Sequence, residues 1–388
     1  MPQSPNYTGE EQAWNLRLIG HTDLNGYGDG MQIMVSGTTM YVGHVDGRMG
    51  TSIVDVSDPT SPSVIKQIKN PANTHSHKVQ TAGNLLMVNY EAFPSGQPVT
   101  PEKAGMQIYD IADRANPKEI GFFDTGGRGI HRIWYAGGDY AYFSVTPEGY
   151  SGRILMIADV SDPARPEEVS RWWMPGQWEA GGETPDWPEA LRPRAHHAIV
   201  SGDRAYLGYW DAGFFILDIS DVTAPKEIAH LSWTPEDGAN THTALPLPAR
   251  NLLITTDEET VPDCKAVTKR TRVIDIEKET SPRVISKIPI PEGDFCTRGL
   301  RFGPHNLHEN RPESFQSDQT VFLTYFNAGL RVIDLSKPEE PTEIATYIPR
   351  CPEGQKAVQT NGVFVAENGL IYISDRISGG VDILELTL

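Results

Sequence analysis

The sequence predicts an all-β chain folded as a seven-bladed β-propeller with four-stranded blades. A short apolar strand motif recurs seven times, turn residues punctuate the whole chain (36 Gly and 30 Pro in 388 residues), and each interval between motifs has room for three further short strands. Residues 196–233 show one complete unit. Residues 198–200 form its first strand, Gly202 and Asp203 a turn, and residues 205–209 a second strand in which apolar and small residues alternate. Residues 213–219 (GFFILDI) are a continuous apolar run, as in a strand buried on both faces. The turn SDVTAP follows, because Asp and Ser bond their own backbone and Pro cannot join a central ladder; residues 226–233 leave as a more polar fourth strand.

The motif appears as GTSIVDVSDP from Gly50, GMQIYDIAD from Gly105, RILMIADVSDP from Arg153, GFFILDISD from Gly213, TRVIDIEK from Thr271, GLRVIDLSKP from Gly329 and GVDILEL from Gly380. Its closing acid falls at Asp55, Asp110, Asp159, Asp218, Asp275, Asp334 and Glu385, at intervals of 49–59 residues. The chain ends just after the seventh copy, so the last blade (361–388) lacks a fourth strand, while residues 15–23 have a fourth-strand pattern and no motif of their own. The N-terminal segment is therefore expected to complete the last blade and close the ring, which makes residues 1–388 one domain.

The cores IVDVSDP, ILDISD and VIDLSKP resemble the LVIVD-repeat propellers. That resemblance implies the architecture and leaves the function open.

Composition narrows the partners. With 51 acidic and 33 basic residues the net charge is −18, which argues against nucleic acid or anionic lipid as a partner. No apolar run reaches the length of a membrane helix, and the first residues show no signal-peptide pattern, so the cytoplasm is the expected location, or the periplasm if a signal was trimmed. Cys264, Cys296 and Cys351 have no CxxC spacing and are expected to be thiols.

The functional signal lies at the start of each first strand. The segments NTHSHKV (His75, His77), GIHRI (His131), AHHAI (His196, His197), NTHTAL (His242) and GPHNL (His305) put histidines in five consecutive blades, with Gln32 and Asn361 in the other two. First strands are innermost in a propeller, so these imidazoles converge on the axis, where three or four could hold a divalent metal ion and leave positions open. The competing explanation is a repeated structural hydrogen bond. Alternation along an extended strand selects one residue of each doubled pair: spacing to the following apolar residue aligns His77, His131, His197, His242 and His305 as ligands, with His75 and His196 as alternates. His21, His44 and His230 are expected to be packing or surface residues, and His308 is ambiguous.

The long insertions, at 91–104, 174–195, 257–270 and 291–303, all belong to the face that carries these histidines. Trp178 and Trp187 in the second of them could form a lid or a small cluster of their own. Ends of second strands reach the same face and supply candidate catalytic groups in Tyr90, Glu91, Tyr209, Asp211, Asp257, Glu258 and Tyr325. Arg128, Arg132, Arg194, Arg298, Arg301 and Trp210 flank the histidine segments as candidate substrate contacts. Together these residues point to a metal-dependent lyase or hydrolase acting on a small anionic or oxygenated substrate, with zinc or manganese ahead of iron or copper. The alternatives are a non-haem iron or copper oxygenase and a non-catalytic propeller that binds a protein on its top face.

Overall fold

The computed structural model describes residues 9–93 and 100–388. Seven antiparallel sheets form the blades of a propeller, and the only α-helix among the described residues is the single turn Phe295–Arg298. In the fourth blade the strands are Arg194–Ser201, Arg204–Trp210, Gly213–Asp218 and Lys226–Leu231, hydrogen-bonded in that order from the axis outward. Burial follows the sequence pattern. Second and third strands are covered on both faces, whereas Lys226–Leu231 is largely exposed on the rim. Leu207, Phe215 and Leu217 of this blade share one apolar cluster with Leu245 and Ile254 of the next, so neighbouring sheets are held by side chains rather than by backbone ladders.

The repeated acid has a local explanation. Asp55, Asp110, Asp159, Asp218, Asp275 and Asp334 each accept the backbone N–H two residues on, at 2.8–2.9 Å, which fixes the turn into the fourth strand. The motif's leading glycine is equally local. Gly213 has φ +77°, and a Cβ there would stand 2.1 Å from the carbonyl oxygen of Leu231 on the outer strand.

Ring closure follows the expected scheme. Leu16–Thr22 pairs antiparallel with Val381–Leu386 as the outer strand of the last blade. The segment does more than close one sheet, because Gln12–Trp14 also pairs with Thr342–Ile348 on the rim of blade six. At the axis blade six is reduced: its inner edge is a single bridge between Leu307 and Leu323 in place of a full strand.

The cysteines depart from expectation. Cys264 and Cys296 form a disulfide, with Cα atoms 5.4 Å apart and a sequence separation of 32. Residues 257–270 join the second and third strands of blade five, and residues 291–303 lead from blade five to blade six, so both loops flank the same blade; local spacing carries no trace of the pairing.

Candidate metal centre

A backbone irregularity aims the histidines. In blade three Ile130 pairs with Val145 and Arg132 with Ser144, so His131 is an extra residue with no partner across the ladder. His196 is the extra residue between Ala195 and His197, and His242 the extra residue between Thr241 and Thr243. A bulge re-aims its side chain out of the pleat. Blades one and seven carry the same shift, with Gln32 and Asn361 inside it. In blade two the pairing lapses between His75 and Val79 and frees His77.

This corrects the register expected from alternation. A bulge breaks the two-residue period, so His196 joins His131 and His242 at the axis while His197 falls in line with Arg132, one layer below. His75 also lies in the ring, its imidazole stacked on that of His77 at 4.2 Å.

Six imidazoles thus follow one another around the channel mouth. From His77 to His131, His196, His242 and His305 the ring centroids are 5.1, 4.9, 3.9 and 4.4 Å apart. They line a cavity of about 390 Å³ together with Glu91 and Glu258. Two groups, His75 with His77 and Glu91, and His196 with His242 and Glu258, bring three ligand atoms within 4.8 Å of one another. Burial drives the imidazoles of His77, His196, His242 and His305 well below their ordinary range, reinforced by neighbouring cations, and takes His131 down to about 3. These rings are neutral at pH 7 and offer lone pairs. Glu91 stays ionised: burial pushes its carboxyl up, but His131 and His75 outweigh burial and hold it low.

The hydrogen bonds show where the protons are. His196 Nδ1 lies 2.9 Å from the carbonyl oxygen of His242, which can only accept, so His196 donates from Nδ1 and leaves Nε2 bare. His131 Nδ1 lies 2.9 Å from the Glu91 carboxylate and must donate likewise. The two bare Nε2 atoms face each other at 3.1 Å. Neither has a proton to give, so the contact calls for a cation. Two nitrogens on one tetrahedral zinc ion would stand about 3.4 Å apart, given bonds of about 2.1 Å. His75 differs, because both its nitrogens meet acceptors, the Val45 carbonyl at 3.1 Å and Glu91 at 3.0 Å, so it serves as a donor. The donor set fits a divalent metal.

The layer below is a network of buried ion pairs and hydrogen bonds. Glu309 accepts from His197 at 2.8 Å and from Arg132 at 2.6 Å, and Arg132 also reaches Asn306 at 3.0 Å. Arg311 donates to the carbonyls of Tyr135 (2.6 Å) and Thr81 (3.0 Å). Sequence reasoning missed Asn306, Glu309 and Arg311, although a signal was there. The run HNLHENR from His305 is polar at all but one position, where the first strands of the other blades mix apolar and polar residues.

Of the expected catalytic groups, Glu91 and Glu258 reach the cavity. Tyr90 points between sheets, its hydroxyl 3.2 Å from that of Tyr109, because it alternates with Glu91 along the same strand. Tyr209 bonds Gln177 and the Met174 amide (3.3 Å) inside the core, and Tyr325 packs against Phe302. Asp257 is bound by Arg272 at 2.8 Å, and Asp211, in a left-handed turn (φ +60°), accepts from the Arg192 amide at 3.0 Å. Among the expected substrate contacts, Arg128, Arg301 and Trp210 line the cavity. Arg194 lies over the Trp210 ring, Arg132 belongs to the lower layer, and Arg298 pairs with Asp294 off the channel. Lys78, Arg153 and Arg376 also line the cavity and were not anticipated.

Elsewhere, His44 is satisfied at both nitrogens, by Asp29 (2.7 Å) and Ser52 (2.8 Å), and His308 by the Phe315 carbonyl and the Val365 amide. Trp178 packs with Trp173 and Tyr150 in a cluster of its own. A larger cavity of about 670 Å³ lies where the N-terminal segment crosses blades six and seven. His21 is its only imidazole, so it lacks the convergent donors of the channel.

Comparison with known proteins agrees with the fold. The model of the LVIVD repeat matches residues 27–69, 132–172, 194–231 and 321–348. The chain carries LVIVD repeats. No curated protein matches the sequence of this LVIVD propeller. Solved structures of similar shape include the Pseudomonas aeruginosa periplasmic gluconolactonase PpgL (TM-score 0.61, 12% identity, 88% of this chain and 93% of that one). A chain of the mitotic checkpoint complex (0.60, 11%, 99% and 94%) and the computationally designed protein Ika8 (0.55, 8%, 95% and 99%) are also similar. At these identities the likeness is one of fold.

Proposed function

We propose that the channel is the active site of a metal-dependent hydrolase or lyase that acts on a small anionic or oxygenated organic molecule. The observation that carries this is the contact of two unprotonated Nε2 atoms, His131 and His196, at 3.1 Å. His242, whose ligand atom lies within 4.8 Å of that of His196, stands beside it as a further ligand. The bound ion would act as a Lewis acid on a carbonyl or carboxylate oxygen. Glu91 holds the His131 ring in its ligating tautomer. Glu258, steadied by Arg301 at 2.9 Å, keeps its carboxylate on the cavity, where it can take a proton from the substrate and return it. Trp210, stacked on His196 with an interplanar angle of 6°, walls one side and excludes water. The PpgL gluconolactonase is an enzyme on a similar outline, which is consistent with this reading. The Cys264–Cys296 disulfide favours an oxidising compartment such as the periplasm over the cytoplasm first expected.

Metal analysis of protein purified without a histidine tag tests the proposal. Zinc or manganese near one equivalent per chain is the expected result. Iron or copper would move the assignment to an oxygenase. A metal-free protein that also takes up none on dialysis would leave a non-catalytic propeller that binds a protein.

A further inference from the structure

Two of the six imidazoles are wired the opposite way from His131 and His196. The Asn89 side chain accepts the Lys78 amide at Oδ1 (2.8 Å) and donates from Nδ2 to the Ile130 carbonyl (2.7 Å), which fixes the orientation of its amide. The same Nδ2 lies 3.3 Å from His77 Nδ1, so that nitrogen accepts and the neutral ring carries its proton on Nε2. This Nε2 is buried and has no hydrogen-bond partner among the described residues. Asn306 repeats the device in blade six. Its Oδ1 takes Arg132 Nη1 at 3.0 Å, and its Nδ2 serves the Asn361 carbonyl at 2.7 Å and His305 Nδ1 at 3.0 Å. His305 therefore also presents Nε2–H to the cavity, 3.6 Å from Glu258.

A ring with a proton on its exposed nitrogen donates a hydrogen bond and cannot ligate a metal there. Lys78 lines the same cavity, is 2% exposed, and has no carboxylate within 4.0 Å among the described residues. Three donors without adequate acceptors thus share the cavity with the bare nitrogens of His131 and His196.

We propose that His77, His305 and Lys78 form an anion cradle that takes a carboxylate, or a similar oxyanion, of the substrate. The ring then has two jobs: acceptor imidazoles hold a cation, and donor imidazoles hold the anionic group of the molecule being transformed. The inference rests on the active-site reading for its meaning, but its test is independent of the metal.

The test uses the full chain labelled with ¹⁵N at histidine, with sodium formate as the probe. Before addition, His77 and His305 should appear as Nε2–H tautomers, and His196 as Nδ1–H. Formate should shift the His77 and His305 Nε2 signals saturably, and Lys78→Met should weaken that binding roughly threefold to tenfold, as expected for loss of one hydrogen-bond donor from an amine whose burial pushes its pKa well down. An Nδ1–H tautomer at His77 or His305 in the wild type overturns the proposal without any variant. So does a formate response confined to His131 and His196, which would report an anion on the metal alone. Absence of metal would sink the hydrolase or lyase assignment and leave this result standing.

Discussion

His196 and His197 are neighbours in sequence and sit in opposite chemical situations. His197 Nε2 meets Glu309, which Arg132 also binds, so in the lower layer of the channel this imidazole has an acceptor within a network of buried ion pairs. His196 Nε2 meets another bare nitrogen. The same residue type, buried to the same degree, is structural in one layer and reactive in the other. The difference teaches that a histidine at a propeller axis is assigned by its proton count, since burial and position alone do not separate the two roles.

Substitutions should pull the layers apart. The largest effect is expected for Glu309→Ala, which strands Arg132 and His197 without their shared acceptor. Breaking a buried ionic contact of this kind costs about 3–5 kcal/mol, to be read as a fall in denaturation midpoint. Unchanged stability would show that this contact does not hold the lower layer together. Next come the two neighbours. His197→Gln should lower stability by about 1–3 kcal/mol while metal content holds, whereas His196→Gln should lose the metal with a smaller change in melting temperature. Metal loss in His197→Gln with retention in His196→Gln would reverse the assignment.

The smallest effect concerns a histidine of a third kind. His21 joins the outer strand of the last blade to Asp382 at 2.7 Å, and that bond raises its imidazole above 6.5. Its contribution to stability is complete below about pH 6.5 and fades as pH rises through the raised value. The side chain is 48% exposed and burial pushes the Asp382 carboxyl up, so the gain is roughly 0.5 kcal/mol or less. Wild type and His21→Asn should therefore differ slightly in midpoint at pH 6 and converge by pH 9. A gap that widens with pH would contradict the pairing.

The architecture was legible because it repeats. Seven copies of one strand and turn, each closed by an acid that bonds two residues on, outweigh the ambiguity of any single copy. The histidines were legible as a group for the same reason. What could not be read was set by departures from period. The bulges at His131, His196 and His242 move a side chain by one position and leave composition untouched. Asn89 and Asn306 determine which nitrogen carries a proton, and Asn89 does so across a strand pair. The disulfide joins two loops that flank blade five, through space and beyond any local spacing rule.

The N-terminal segment has a consequence for how the molecule is made. Gln12–Trp14 and Leu16–Thr22 leave the ribosome ahead of the other strands of the propeller, yet their partners, Thr342–Ile348 and Val381–Leu386, emerge only with the last two blades. At synthesis rates of about 5–20 residues per second the early strands wait roughly 20–70 s for their mates. Throughout that interval the first blades stand as an open arc, with one unpaired edge trailing at the growing end and a loose strand at the other. The clasp that closes the ring therefore forms only once the last blade is made, and until then the N-terminal strands are without their partners.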